Sequence, residues 1–305
     1  METFQQIVNG YLQSLAGKPS WKNYRNLYYQ HFESWTEHPT FQELHRWHVQ
    51  HRDAPTQANK GIAFIRQSYT WAARFMDYQG INPALGVKAH PTFSREREMN
   101  SIEVGAVLGA MEFMPLKLRV LLTVLLMTGC RLSEALQMKV ELVDMSTGLW
   151  IQPLTKNGRT HSTYLSTQAR AALATLLHRS SYYFEGMDGQ HYSVAGAEKA
   201  WDLVRDELGL ADVRLHDFRR TLATHLYRAT KDEYLVKRCI NHVNRNVTAI
   251  YVRISQEEVA KALQAQADRF MGLLDGAIPS PDARPAKQMD VVVTARRAHA
   301  VIGAG

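Results

Sequence analysis

The dipeptide Asn157-Gly158 limits the fold of this chain more than any other feature. It sits between "GLWIQPL" and "THSTYLS", two short pieces with strand-like apolar alternation, and "VELVDM" a few residues earlier reads the same way. A two-residue hairpin turn twisted to suit its strands needs positive φ at both central positions, and Asn-Gly meets that need best. The interval 140–165 therefore predicts a small antiparallel sheet. Almost everywhere else apolar residues recur at three- and four-residue spacing, so the remainder predicts helices. The expected fold is mainly α, with one mixed α/β region.

Residues 1–80 read as a helical domain, with Phe4, Val8, Tyr11, Leu12 and Leu15 on one stripe and further helices at about 21–37, 41–51 and 56–78. Its aromatic residues at helical spacing are assigned to a core. Periodicity is lost over 81–99, where Gly, two Pro and a run of charges predict a linker. A second domain, 100–275, follows. Asn100 with Glu103 has capping-box spacing, as do Thr230 with Glu233 and Ser255 with Glu258. Helices are expected at about 101–112, 116–128, 167–179, 195–208, 216–229, 231–240 and 255–274. The tail 276–305 begins with Pro, Ser and Asp and contains a β-prone "VVVT"; it is expected to be flexible or exchanged between protomers.

Composition narrows the function classes. The 305 residues carry a formal net charge of +7, which suits an anionic partner. No segment is a polybasic arm, so a nucleic-acid surface would have to be gathered by folding. Cys130 and Cys239 are too few for a disulfide framework or a zinc site, and no metal is expected. No apolar run spans a bilayer, and the N-terminus lacks a signal-peptide layout, so the expected location is the cytoplasm with no membrane partner.

Several residues could carry chemistry. In "LHDFRRTLATHL", His216 and Arg219 share a helical face while Arg220 points elsewhere. An imidazole transfers protons near neutral pH and a guanidinium can bind two oxygens of one phosphate, so the pair suits a phosphate whose charge changes during reaction. "TGCRLSEAL" places Arg131 at a Gly-containing turn, with Glu134 three residues on to hold the turn or the arginine. Lys156 lies beside the hairpin turn, within reach of a groove. His242 is followed nine residues later by Tyr251. Each motif alone is commonplace.

Taken in order, Arg131 with Glu134, Lys156, His216-x-x-Arg219, His242 and Tyr251 resemble the tyrosine recombinase (phage integrase) family, whose pattern runs T-G-x-R-x-x-E, a hairpin lysine, H-x-x-R, a second His or Trp, and a tyrosine. The resemblance covers about 100–275 as catalytic domain and makes 1–80 the helical, SAM-like core-binding domain. It implies that Tyr251 is the nucleophile in a 3′-phosphotyrosyl intermediate and that Arg131, Arg219 and His242 meet the phosphate charge. It further implies that Lys156 protonates the leaving 5′-hydroxyl and that His216 assists proton transfer, with no cofactor and no ATP. The implied partners are double-stranded DNA held in a C-shaped clamp, a homotetramer on synapsed sites, and an accessory DNA-bending protein. Integration or excision of a mobile element is the implied role. A resolvase or type IB topoisomerase-like strand transferase would carry the same motifs, whereas a non-catalytic DNA-binding protein of this fold would lack one of the residues. Asn241 departs from the Gly that many members place before the second histidine. The chain also starts at the core-binding domain, so dependence on arm-type sites is not expected.

Overall fold

The computed structural model describes residues 2–18, 20–152, 160–177, 179–242 and 254–276. The chain separates into two compact units between Arg95 and Glu96. In the first, four helices form: α1 (Phe4–Ser14), α2 (Trp21–His31), α3 (Phe41–Gln50) and α4 (Pro55–Phe75). Thr3 and Thr40 start α1 and α3 with reciprocal caps from Gln6 and Glu43. Phe4, Ile7, Leu12, Phe32, Phe64 and Tyr69 are buried together, so the aromatic stripes are core, as their spacing predicts. Helix α2 stops at His31, short of the expected 37. Phe32 and Glu33 both donate to the Tyr28 carbonyl, closing the ladder, and Trp35 folds back edge-on to Phe32.

The stretch expected as a linker is divided between the units. Ala84 and Val87 are buried in the first core, and the Arg66 guanidinium donates to both of their carbonyls at 3.0 Å. Asn59 exchanges two hydrogen bonds with the backbone of His90, whose ring stacks on His48 at 3.7 Å. Side chains thus satisfy irregular backbone here. Further on, Met99 is buried in the second core and its N–H donates to Thr221 Oγ1 at 2.9 Å.

The second unit contains α5 (Ser101–Ala110), α6 (Leu116–Thr128), α7 (Leu132–Leu136), β1 (Leu149–Gln152), β2 (His161–Tyr164), α8 (Thr167–Ala174), α9 (Val194–Arg205), α10 (Leu215–Thr230), α11 (Glu233–Cys239) and α12 (Gln256–Gly276). Helix α6 is apolar all round and buried from Val120 to Thr128, which makes it the axis of the core. Helix α10 packs along it through Leu215, Phe218, Leu222 and Leu226. Val259, Leu263, Ala267 and Phe270 bury one stripe of α12. Strands β1 and β2 pair antiparallel, with Leu149 opposite Tyr164 and Gln152 opposite His161. The Asn157-Gly158 turn lies outside the described residues. "VELVDM" is not a strand: Val140–Leu142 is a 3₁₀ turn, and Val143 makes one bridge to Trp150. The Asn100/Glu103 and Ser255/Glu258 caps form as expected. Thr230 instead ends α10, bonding back to Leu226 O, and Asp232 caps α11 by accepting from Leu235 N. Asp caps as well as Thr and stands one residue from the helix. Among the described residues no helix is long and apolar enough to cross a membrane.

Candidate active site

The site is built around the glycine that ends α6. Gly129 has φ +61°, and a Cβ there would lie 2.8 Å from Leu222 Cδ2 and 3.1 Å from Ile240 Cγ2. Glycine is needed for conformation and for room, because α10 and the end of α11 close on this turn. Two residues later Arg131 caps α7. Glu134 accepts from the Arg131 backbone N–H at 2.8 Å and from its guanidinium at 2.6 Å. One carboxylate therefore holds both the turn and the cation.

Helix α10 delivers the next two groups. Its start is fixed by Asp217, which accepts from Arg214 N at 2.9 Å and lies 3.4 Å from Arg220. Arg220 is thereby directed away from the turn, and Arg219, only 7% exposed, reaches the turn and donates to Gly129 O at 2.8 Å. Burial and then the Arg131 charge lower the pKa of Arg219. It stays cationic in this strained setting because a guanidinium does not give up its proton in proteins. His216 remains open to solvent. Partial desolvation, then Arg220 and Arg219, lower its pKa, so the neutral form is favoured, as a proton acceptor requires.

The end of α11 carries His242. Asn241 has φ +52°, its N–H donates to Arg238 O at 3.3 Å, and His242 N donates to Lys237 O at 2.8 Å. Those two bonds make a Schellman turn with a left-handed residue at its centre. Asparagine is the best-tolerated non-glycine residue in that conformation, so Asn241 does the backbone work of the glycine common in the family. His242 is exposed just beyond, two residues from the Ile240 contact to the Gly129 turn. The structure thus brings Arg131, Glu134 and Arg219 to one turn, with His216 one helical turn before Arg219 and within electrostatic reach of both arginines, and His242 following from the helix end packed on the turn. Lys156 and Tyr251 lie outside the described residues.

Two further residues enter the site that sequence reasoning missed. His161, on the buried face of β2, has Nδ1 3.3 Å from Arg238 Nη1 on α11. Burial first, then Arg238, pushes its pKa down to about 4, with Arg219 and Arg131 adding to the shift and Glu134 opposing it. The alternation in "THSTYLS" places His161 with Thr163 on one face, which is the signal that could have exposed it. Cys130 and Cys239 are buried free thiols, both pushed up by burial to about 12 and therefore poor nucleophiles.

Residues 97–258 match the profile of the phage integrase family. The chain belongs to that family. As a phage integrase family member it is a site-specific recombinase of the tyrosine type. Curated relatives include tyrosine recombinase XerC of Staphylococcus saprophyticus, 26% identical over 226 residues covering 68% of this chain and 73% of the relative. XerS of Streptococcus agalactiae is 30% identical over 156 residues, or 47% of this chain and 43% of the relative. Among solved structures, a lambda integrase (75-356) dimer bound to a COC′ core site has a TM-score of 0.66 at 15% identity, covering 83% of this chain and 99% of the other. The Tn1549 transposon integrase (aa 82-397) with circular intermediate DNA has a TM-score of 0.65 at 13% identity, covering 86% and 99%. At such identities these likenesses establish the fold shared with integrases.

Proposed function

We propose that the protein cleaves and rejoins duplex DNA through a covalent link to Tyr251, serving integration or excision of a mobile element. The observation that carries this reading is the turn at Gly129, where two arginines are fixed beside one carboxylate. Arg219 is anchored through Gly129 O and Arg131 through Glu134, so their remaining donors are aimed before any phosphate arrives. Phosphodiester displacement builds charge on the non-bridging oxygens, and prealigned guanidiniums meet it without reorganisation.

In the proposed step Tyr251 Oη attacks phosphorus in line, a P–O bond to Tyr251 forms, and the bond to the 5′-oxygen breaks. The Tyr251 proton passes to His216 or to water, and the Lys156 ammonium gives a proton to the leaving 5′-oxygen. The phosphotyrosyl link preserves the energy of the broken bond, so religation by a 5′-hydroxyl needs no nucleotide. His242 donates to the phosphate. The integrase structures of similar fold, solved on a core site, on circular intermediate DNA and, for lambda integrase, as a tetramer on a Holliday junction, support double-stranded DNA as the partner and a homotetramer as the working assembly. An accessory DNA-bending protein and exchange of the 276–305 tail between protomers belong to the same proposal.

The test is covalent capture. Protein incubated with pooled nicked genomic fragments is denatured in detergent, and the attached DNA is sequenced. Wild type is expected to retain fragments converging on one sequence, and Tyr251→Phe to bind DNA without retaining any. A Phe variant that still crosslinks would move the nucleophile, with the exposed Tyr227 and Tyr234 next to examine.

A further inference from the structure

The two-stranded sheet is polar where packing alone would favour apolar residues. His161 and Thr163 face the interior of the second unit, opposite Gln152 and Trp150. Gln152 Oε1 and Thr163 Oγ1 are buried with no hydrogen-bond partner among the described residues. Buried unpaired polar atoms cost stability, so an apolar pair here would hold the sheet better.

What the polar face provides is a link across the site. A guanidinium only donates, so at 3.3 Å the Nδ1 of His161 is the acceptor for Arg238 and its ring proton sits on Nε2. Arg238 touches this imidazole, and Arg219 from α10 and Arg131 at the start of α7 act on it electrostatically in the same direction, opposed by the carboxylate of Glu134. A protonated His161 would add a fourth cation and lose its bond to Arg238, so the arrangement works only with a neutral ring. The bond also joins two segments that matter to the reaction. Strand β2 begins five residues after Lys156. Arg238 sits at the root of the Schellman turn, its carbonyl accepting from Asn241 N just before His242.

We propose that His161 is a positioning residue: by accepting from Arg238 it ties strand β2 to the helix end that presents His242, and so fixes that helix end relative to the Gly129 turn. This inference rests on the recombinase chemistry proposed above. A displacement of about 1 Å at a reacting group costs on the order of 100-fold in rate, so a bond that fixes the helix end presenting His242 affects turnover more than binding.

The experiment uses the full-length protein and a nicked duplex carrying the captured target sequence, measuring single-turnover adduct formation, DNA affinity by anisotropy, and the melting temperature. His161→Leu, which removes the acceptor, is expected to slow adduct formation roughly 10- to 100-fold with affinity within about twofold. His161→Asn places Oδ1 near the lost Nδ1 and is expected to recover most of the rate. Arg238→Met should slow the reaction to a similar degree, and the double variant His161→Leu/Arg238→Met should be no slower than either single. If His161→Leu fails to fold, the Asn variant and Arg238→Met carry the comparison. An Asn variant as slow as Leu, multiplicative losses in the double variant, or rate and affinity falling together would overturn the positioning role. Wild-type cleavage with His161→Leu at the same rate would overturn this inference alone. No adduct from wild type would overturn the recombinase reading and this one with it.

Discussion

In the first unit His48, 1% exposed, pairs its Nε2 with Asn59 Oδ1 at 2.9 Å and stacks on His90, and His38 bridges Tyr69 OH and Glu2 O. In the second unit Arg219 is nearly as deep, yet among the described residues its one hydrogen bond goes to a backbone carbonyl. Arg131 beside it shares the electrostatic support of Glu134. The first unit closes its polar groups on themselves, and the bonds fasten 81–95 to the helices. Around Arg219 the second unit crowds cations, with Arg131 lowering its pKa and Glu134 opposing, an arrangement that is costly in isolation and that a bound anion would relieve. On the proposed function, the burial of Arg219 is chemical where that of His48 is structural.

Substitutions can break that contrast. Phe64 is fully buried and stacked 5.2 Å from Tyr24, so Phe64→Ala should cost roughly 3 to 5 kcal/mol in urea unfolding of the first unit. A similar loss from truncating an active-site arginine would put the second unit in the same category. Arg131→Ala is expected instead to slow adduct formation about 100- to 1,000-fold, roughly 2.7 to 4 kcal/mol of transition-state stabilisation, while unfolding changes by less than about 1 kcal/mol.

Acid should sharpen the contrast. His161 titrates near its ordinary 6.5 when unfolded but at about 4 when folded, so the folded state binds fewer protons between those values. Its contribution is present above pH 6.5 and lost as pH falls toward 4, about 1 to 2 kcal/mol between pH 7 and pH 5. His31 and His48 in the first unit are lowered by burial as well and act with the same sign. Denaturant melts at both pH values should therefore show a smaller acid loss in His161→Asn than in wild type, with the remainder belonging to the other histidines. The smallest effect concerns the Schellman turn: Asn241→Ala should cost about 1 kcal/mol and Asn241→Gly about nothing, because only the left-handed backbone is at stake.

Local spacing made much of this legible. Arg131 with Glu134 and His216 with Arg219 are pairs three residues apart, and helix geometry fixes their relation whatever surrounds them. The aromatic stripes and the Asn100 and Ser255 caps were readable for the same reason. What escaped depends on partners remote in sequence. The stretch 81–95 has a linker's composition, but Asn59 and Arg66 on α4 bind it. "VELVDM" has strand-like alternation, yet Val140 N donates to Ser181 O and the chain turns at once. His161 and Arg238 are 77 residues apart, and nothing local to either marks the bond.

The central claim is that Arg219 is buried for chemistry at some expense to the fold, and Arg219→Met tests it most directly, because the side chain keeps its bulk and loses its charge. Melting temperature without DNA and single-turnover adduct formation would be measured on one preparation. The expected result is a melting temperature equal to or above wild type and adduct formation reduced at least about 100-fold. A melting temperature several degrees lower with adduct formation near wild type would make Arg219 a structural residue and contradict it.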